Sequence, residues 1–497
     1  MPTEIEEYQV RIERLKKWQE ADVLAYPSKA ERTHQTAEVK EQFNKLVQSE
    51  ATVTVVGRIR ALRLHGSSCF ALVEDDSGQI QVYAKLDVLG DEQYLRFSEW
   101  LDVGDFIQAS GTLFTTKTGE QTIQIKSFVL LTKALLPLPA KWHGLSDVEQ
   151  RYRYRYLDLL SNKEVRRVFN ARTKIITYLR KFLDERGFWE VDTPTLQTLA
   201  SGAAAKPFKT HHDALNTDMY LRVAPELYLK RLLIGGYEKV YEVARCFRNE
   251  GIDYAHNPEF TQVELYWVYA DYNNLMQMVE EFIRGVLQEI NRSLKVIVEG
   301  HELNFVPKFE RLDFAEAFTK NLNINLDELD TVEKLSSVAK QKGLAVVPEW
   351  GRGKILDELY KEHIRPQLIQ PTFIINHPVD LSPLAKKIDG RPNYTERMQL
   401  VVAGKLEMCN GFSELNDPLE QIQRFNDQKK LQQRGDDEAM AADESFVTAL
   451  KVGMPPAAGL GIGVDRLVAM VTGQHALKDV ILFPTLRPEG QEIRIKD

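Results

Sequence analysis

Between residues 51 and 135, apolar side chains recur at every second position in short runs, whereas on both sides of that stretch they recur every three or four. The first period belongs to strands and the second to helices, so no single uniform architecture accommodates the chain. Thr52-Val53-Thr54-Val55 alternates, as does Cys69 to Val73. Gln79-Ile80-Gln81-Val82-Tyr83 follows an Asp76-Ser77-Gly78 turn, and Gln121 to Ile125 follows a second turn at Thr118-Gly119. Short strands punctuated in this way predict a small β-barrel. An oligonucleotide-binding (OB) barrel fits the size and strand count, although spacing alone does not select it over other small barrels.

The flanking segments read as helices. Ile5, Tyr8, Ile12, Leu15 and Trp18 lie three or four apart among charges, which predicts an amphipathic packing helix ending near Tyr26-Pro27. Arg151-Tyr152-Arg153-Tyr154-Arg155-Tyr156 interleaves cations and aromatics, a pattern able to stack on nucleic acid. A linker helix is the favoured reading. Helices are predicted at 165–186, stopped by Gly187, and at about 273–290. Short strands rather than βαβ repeats lie between them, which favours an antiparallel sheet flanked by helices. The class is therefore α+β: a helical extension over 1–50, the barrel over 51–140, a linker over 141–165, and a main domain over 166–497 with a mostly helical insertion at about 310–370. Asp436-Asp437-Glu438 reads as a solvated acidic loop.

A chain of 497 residues is too long for one core. Its net charge of −8 argues against gripping nucleic acid by bulk charge, but leaves room for local basic grooves. The three cysteines, Cys69, Cys246 and Cys409, are too far apart for a disulfide framework or a zinc site. Glu4, Glu6 and Glu7 stand where a signal peptide would need apolar residues, and no apolar run is long enough to span a membrane. These features predict a cytoplasmic protein.

Three blocks carry the chemistry. The first is Gly187-Phe188-Trp189-Glu190-Val191-Asp192-Thr193-Pro194. The second joins Phe247-Arg248-Asn249-Glu250-Gly251 to His256-Asn257-Pro258-Glu259-Phe260 between strand-like segments. The third is Gly459-Leu460-Gly461-Ile462-Gly463-Val464-Asp465-Arg466, leading into an apolar helix. No P-loop or dinucleotide-binding fingerprint occurs, so any ATP must be held by arginines on antiparallel strands.

In this order the blocks resemble motifs 1, 2 and 3 of the class II aminoacyl-tRNA synthetases. The intervening stretches resemble the lysine-specific branch: Ser201-Gly202-Ala203-Ala204-Ala205-Lys206-Pro207-Phe208, Arg222-Val223-Ala224-Pro225-Glu226-Leu227-Tyr228 and Asn410-Gly411-Phe412-Ser413-Glu414-Leu415-Asn416-Asp417. The resemblance runs along nearly the whole chain. It implies an anticodon-binding barrel, a catalytic antiparallel sheet, and a homodimer whose interface includes the first block. The implied ligands are lysine, ATP, magnesium and the lysine tRNA.

The resemblance also implies roles for residues. Arg248 holds the α-phosphate and the lysine carboxylate, and Arg466 the γ-phosphate. Guanidinium suits both tasks because it is permanently charged and forks onto two oxygens. Phe260 stacks on adenine, with Glu250, His256 and Asn257 around the purine; for His256 the plain alternative is a structural turn histidine. Glu226 and the Gly202 loop receive the α-amino group, Glu414 and Tyr266 the side-chain ammonium, with Glu264 and Asn410 completing the pocket. An ammonium taken out of water demands such carboxylates. Glu407 matches a magnesium-binding acid, and Glu414 is a further candidate ligand. Gln399 stands where the family has its other acid, and one extra residue precedes Glu407. In the barrel, Phe70 and Gln81 match anticodon-contacting positions, Arg63 is displaced by one from a family arginine, and Lys126-Ser127 stands where a glutamate is common.

Three other functions compete. An aspartyl- or asparaginyl-type synthetase would offer basic groups to a substrate carboxylate, where this chain has three glutamates. A ligase that lysylates a protein would lack the barrel. An inactive regulatory homologue would not need Arg248 and Arg466.

Overall fold

The computed structural model describes residues 4–138, 147–199, 201–203, 205–251, 253–435 and 440–488. The predicted acidic loop at Asp436-Asp437-Glu438 lies outside them. The chain divides into two compact units, residues 1–145 and 146–497.

In the first unit five strands, Val53–His65, Ser68–Glu74, Gln79–Lys85, Phe106–Thr115 and Gln121–Thr132, close into a barrel. The fourth pairs back onto the first, and the third and fifth run parallel. Alternation decides the inside: Val53, Val55 and Ile59 are fully buried, as are Ile80, Val82 and Ala84. The Phe106–Thr115 strand and the helical turns between Leu86 and Trp100 are additions to the sequence reading. The Glu4–Glu20 helix is a packing helix: its Trp18 is buried edge-on against Trp100, ring centroids 5.3 Å apart, within the barrel's own core. Val39, Phe43 and Leu46 join that core.

The second unit is built on an eight-stranded sheet. In spatial order its strands are Glu310–Asp313, Thr372–Ile375, Arg397–Val402, Leu406–Ser413, Ala457–Gly463, Glu259–Val268, Lys239–Phe247 and Trp189–Glu190. Only the outermost pair at each edge is parallel. The Lys239–Phe247 and Glu259–Val268 strands, of nine and ten residues, exceed the short ones expected. Helices Lys163–Asp184, Tyr272–Asn291 and Val464–Thr472 bury their apolar stripes in a single core with this sheet. Gly187 takes φ +78°, which only glycine adopts cheaply, and ends the first of them. The insertion has its own core around Phe314, Phe318 and Ile355, and its first strand, Glu310–Asp313, belongs to the main sheet. Residues 148–161 form two short helices; in them Arg155 is 1% exposed and donates to the carbonyls of Leu482 and Lys478, so this stretch is structural.

Candidate active site

Adjacent strands place the second and third blocks side by side. Gln262, Glu264 and Tyr266 occupy alternate positions of one strand and therefore one face, opposite Gly463, Gly461 and Gly459 of its neighbour. Lacking side chains, these glycines leave open the space above the polar row. The next strand sets Asn410 beside Gly461 and Phe412 beside Gly459, and the following one sets Gln399 beside Asn410. The result is a cavity of about 330 Å³ lined by Gly202, Glu226, Arg248, Glu250, His256, Asn257, Phe260, Glu264, Tyr266, Gln399, Glu407, Asn410 and Arg466.

One end of the cavity is acidic and buried. Glu264 is buried, its carboxylate accepting from Gln262 Nε2 at 2.6 Å and from the Tyr266 hydroxyl at 3.2 Å. Burial, reinforced by the neighbouring charge of Glu226, pushes its pKa well above the usual carboxylate range. Glu414 lies just beneath the cavity floor. A Cβ on Gly459 would run into both its carboxylate and the Tyr266 ring. Its acid is pushed up to about 8 by burial, an effect that the adjacent Lys230 partly opposes. The Lys230 ammonium lies 2.6 Å from Glu226 and is also paired with Glu414. Burial would lower its pKa, but the two carboxylates outweigh that and raise it. Glu414 is thus paired with Lys230 and is not among the residues that line the cavity.

The other end carries guanidinium groups and is half open. Arg248 follows directly on the last strand pair, Phe247 opposite Glu259, and its N–H donates to Pro258 O at 2.9 Å, so the ladder itself aims the side chain. Its guanidinium carbon lies 5.0 Å over the Phe260 ring. Arg466 donates to the Glu407 carbonyl at 3.1 Å, and Arg365 lies 3.3 Å from the Glu407 carboxylate. Asp465 accepts from Thr261 N at 3.0 Å and pairs with Arg172, which pins the start of the Arg466 helix to the central strand.

The hairpin carrying Glu407 is irregular in two places. The turn Ala403-Gly404-Lys405 is three residues long, with positive φ at Ala403 and Gly404, and the pairing shifts register between Leu400 and Val401. Residues three apart on a strand ordinarily face opposite sides; across this bulge Glu407 and Asn410 both line the cavity. Among the described residues, no group of three or more His, Cys, Asp or Glu side chains is gathered to hold a metal alone. Glu407 with the amide oxygen of Gln399 suits magnesium only when phosphate oxygens complete the shell.

His256 behaves as a turn histidine: exposed, its Nδ1 lies 3.0 Å from Asp253. Asn257 spends its amide on the backbone of Glu259 and Thr485. The sequence reading omitted Gln262, Lys230 and Arg397. The first is signalled by its two-residue spacing from Glu264 and the second by its four-residue spacing from Glu226 on a helix. Arg397 donates to Asn410 Oδ1 at 2.8 Å and carries no local signal.

On the barrel, the outward positions gather His65, Phe70, Tyr83 and Phe114, with Phe70 and Tyr83 ring centroids 4.7 Å apart. Gln81 donates to Thr122 Oγ1 at 2.9 Å on the same sheet. Arg63, paired opposite Phe70, is exposed, and Ser127 is exposed beside a bulge at Ser110/Gly111.

Fold and site together define a class II tRNA synthetase: the family described as tRNA synthetases class II (D, K and N) matches residues 147–487, and the OB-fold nucleic acid binding domain matches 53–131. Within that class the chain is 48% identical to the lysine--tRNA ligase of Moorella thermoacetica, over 97% of this chain and 98% of the relative. It is 47% identical to that of Roseiflexus sp. over 97% and 98%, and 46% identical to that of Idiomarina loihiensis over 94% of each chain. The chain belongs to the lysine--tRNA ligase family.

Proposed function

We propose that this protein activates lysine with ATP and then loads it onto the 3′ end of the lysine tRNA. The observation that carries this reading is the polarity of the cavity: buried carboxylates gather at one end and guanidinium groups at the other. A substrate with an ammonium tail and a carboxylate head, meeting a polyphosphate, fits that polarity. A lysine carboxylate oxygen attacks the α-phosphorus and pyrophosphate leaves. A hydroxyl of the terminal tRNA ribose then attacks the acyl carbon and AMP leaves. The attacking carboxylate is already ionised at neutral pH, so positioning and charge neutralisation supply the catalysis.

Arg248 receives the lysine carboxylate and the α-phosphate, Arg466 the γ-phosphate, and Phe260 the adenine. Glu250, His256 and Asn257 border the purine. Glu226 and the Gly202 backbone hold the α-ammonium, while Glu414 and Tyr266 hold the side-chain ammonium, with Glu264 and Asn410 bordering both. Glu407 and Gln399 would hold magnesium bound together with ATP, and the ion would supply neutralisation of phosphate charge. On the barrel, Phe70 and Gln81 contact the unpaired anticodon bases, with Arg63 at the rim. The protein works as a homodimer in the cytoplasm. In support, Trp189 and Leu196, in and beside the first block, are 68% and 45% exposed, all three cysteines are free, and no described helix is long and apolar enough to cross a membrane.

ATP–pyrophosphate exchange across the amino acids tests the reading: exchange with lysine and not with aspartate, asparagine or arginine is expected. Its absence with lysine and magnesium would sink the assignment. For the barrel, Phe70→Ala is expected to lower tRNA charging by about 5- to 100-fold, the range for losing one stacked base, with exchange unchanged.

A further inference from the structure

Lys230 has no place in the reaction as described, yet it is the most completely enclosed cation beside the cavity. Its helix begins at Glu226, and one turn later Lys230 points back at that carboxylate, 2.6 Å away. It reaches at the same time to Glu414, on the segment after the Leu406–Ser413 strand. The ammonium is walled by Phe412, Phe446 and Tyr266, whose ring centroids lie 5.3, 5.9 and 6.0 Å away, and the residue is 1% exposed. At that exposure it cannot reach solvent without unmaking the floor. An ammonium in such a place is costly to bury unless carboxylates answer it. Here it ties two of them together across two elements of the fold.

The charges beside the acidic end support a count. Glu226, Glu264 and Glu414 bring three carboxylates, and Lys230 supplies one internal ammonium. Arg248 stands at the other end, committed to the substrate carboxylate and phosphate. Lys230 is shared by Glu226 and Glu414, so Glu264 has no ammonium partner of its own; Arg397 also lines the cavity but is committed to Asn410 and the Leu381 carbonyl, and a lysine substrate has two ammonium groups. An amino acid with one ammonium leaves a buried carboxylate unanswered, a heavy penalty in a site of this kind.

We propose that Lys230 is a positioning and specificity-determining residue of the amino-acid pocket, an internal ammonium that holds Glu226 and Glu414 in register and leaves room for two substrate ammonium groups. It touches neither ATP nor the reacting atoms. Its effect falls on amino-acid binding and selectivity.

This inference rests on the lysine-activating reading. Lys230→Met keeps the length and apolar packing of the side chain and removes only the charge. In lysine-dependent exchange by the full-length protein, its KM for lysine is expected to rise at least about tenfold. The KM for ATP and the kcat at saturating lysine should stay within about threefold, and discrimination against norleucine, which lacks the side-chain amine, should narrow. Lys230→Arg, which keeps the charge but displaces it, should raise the lysine KM less than the Met variant does and leave the ATP KM unchanged. If the Met variant melts like the native protein and keeps the native lysine KM and selectivity, the proposal is overturned; a fall in kcat alone overturns it too. If the Met variant does not fold, Lys230→Arg decides. Its displaced charge should raise the lysine KM alone, and native values for every parameter would count against the role. Failure of the native protein to exchange with lysine would instead defeat the underlying reading, so the two failures are distinct.

Discussion

The two ends of the cavity solve the same problem, holding charge, in opposite ways. At the acidic end Glu264 and Glu414 are buried, and Lys230, Gln262 and Tyr266 are set against the carboxylates before any ligand arrives. At the basic end Glu407 keeps about a quarter of its side chain in solvent, and Arg248 leans on an aromatic face rather than on an acid. The difference follows from the ligands. An ammonium brings a single sign of charge and loses its hydration on entry, so the protein must supply compensation from fixed groups. A polyphosphate brings its own counter-ion and retains water, so permanently charged guanidinium groups suffice. Selectivity therefore resides where the site is closed, and rate where it is open.

The sharpest way to break that division is to remove one residue from each end. Arg248→Ala is expected to cut lysine-dependent exchange by about 10²- to 10³-fold, mostly in kcat, as losing a charge-stabilising donor does. Glu414→Gln should raise the lysine KM by about 100-fold while sparing ATP binding, because an ammonium then lacks its buried partner. Steady-state kinetics with each substrate varied in turn separates the two. If Glu414→Gln weakened ATP as much as lysine, the ends would not be independent.

Much of this site is legible in the sequence because it is built on strands. Gln262, Glu264 and Tyr266 share a face by spacing alone, and the glycines at 459, 461 and 463 mark where their neighbour must stay thin. The Arg248 and Arg466 blocks come within reach because they terminate adjacent strands or open the helix that follows. What spacing does not give is register. The bulge that turns Glu407 and Asn410 to the same side depends on pairing with Leu400 and Val401, which no local pattern announces. The barrel shows the same limit. Phe70 and Gln81 follow from alternation, whereas Phe114 joins the aromatic face through the Phe106–Thr115 strand, whose Ser110-Gly111 centre disguises it as a loop. Lys230 was legible in principle, four residues from Glu226 on a helix, but its second partner is 184 positions downstream.

A milder test exploits the acid pushed up to about 8 by burial at Glu414, which faces Lys230 with Glu226 and Tyr266 nearby. Lysine binds its ionised form. Below about pH 8, binding must therefore expel a proton, and the lysine KM is expected to rise by up to about tenfold per pH unit as the pH falls. Linkage gives the ligand-free protein the matching sign: its proton-bound fold loses stability as the pH climbs from the ordinary 4.5 towards about 8. Added lysine should then raise the melting temperature more at pH 8 than at pH 6. A lysine KM that is flat with pH while the ATP KM moves would put the titrating group at the basic end.

The smallest expected effect separates two points on one strand of the cavity wall by volume alone. At Gly459 an added Cβ would collide with the Glu414 carboxylate and with Tyr266, whose Cδ1 would lie 2.8 Å away. At Gly461, two residues on and facing the same cavity, the nearest atoms would be Asn410 O at 3.8 Å and Glu264 Cγ at 3.9 Å, ordinary contacts. Gly459→Ala should therefore cost about 1–3 kcal/mol of stability, the usual range for overpacking. Gly461→Ala should leave stability within about 1 kcal/mol of native, because a methyl group meets no obstacle and the unfolded chain loses some freedom. Denaturant unfolding of the ligand-free variants measures both. Equal losses at the two positions would mean that the space opposite Glu264 is as tightly filled as that over Glu414, and the contrast between the two ends of the cavity would have to rest on charge alone.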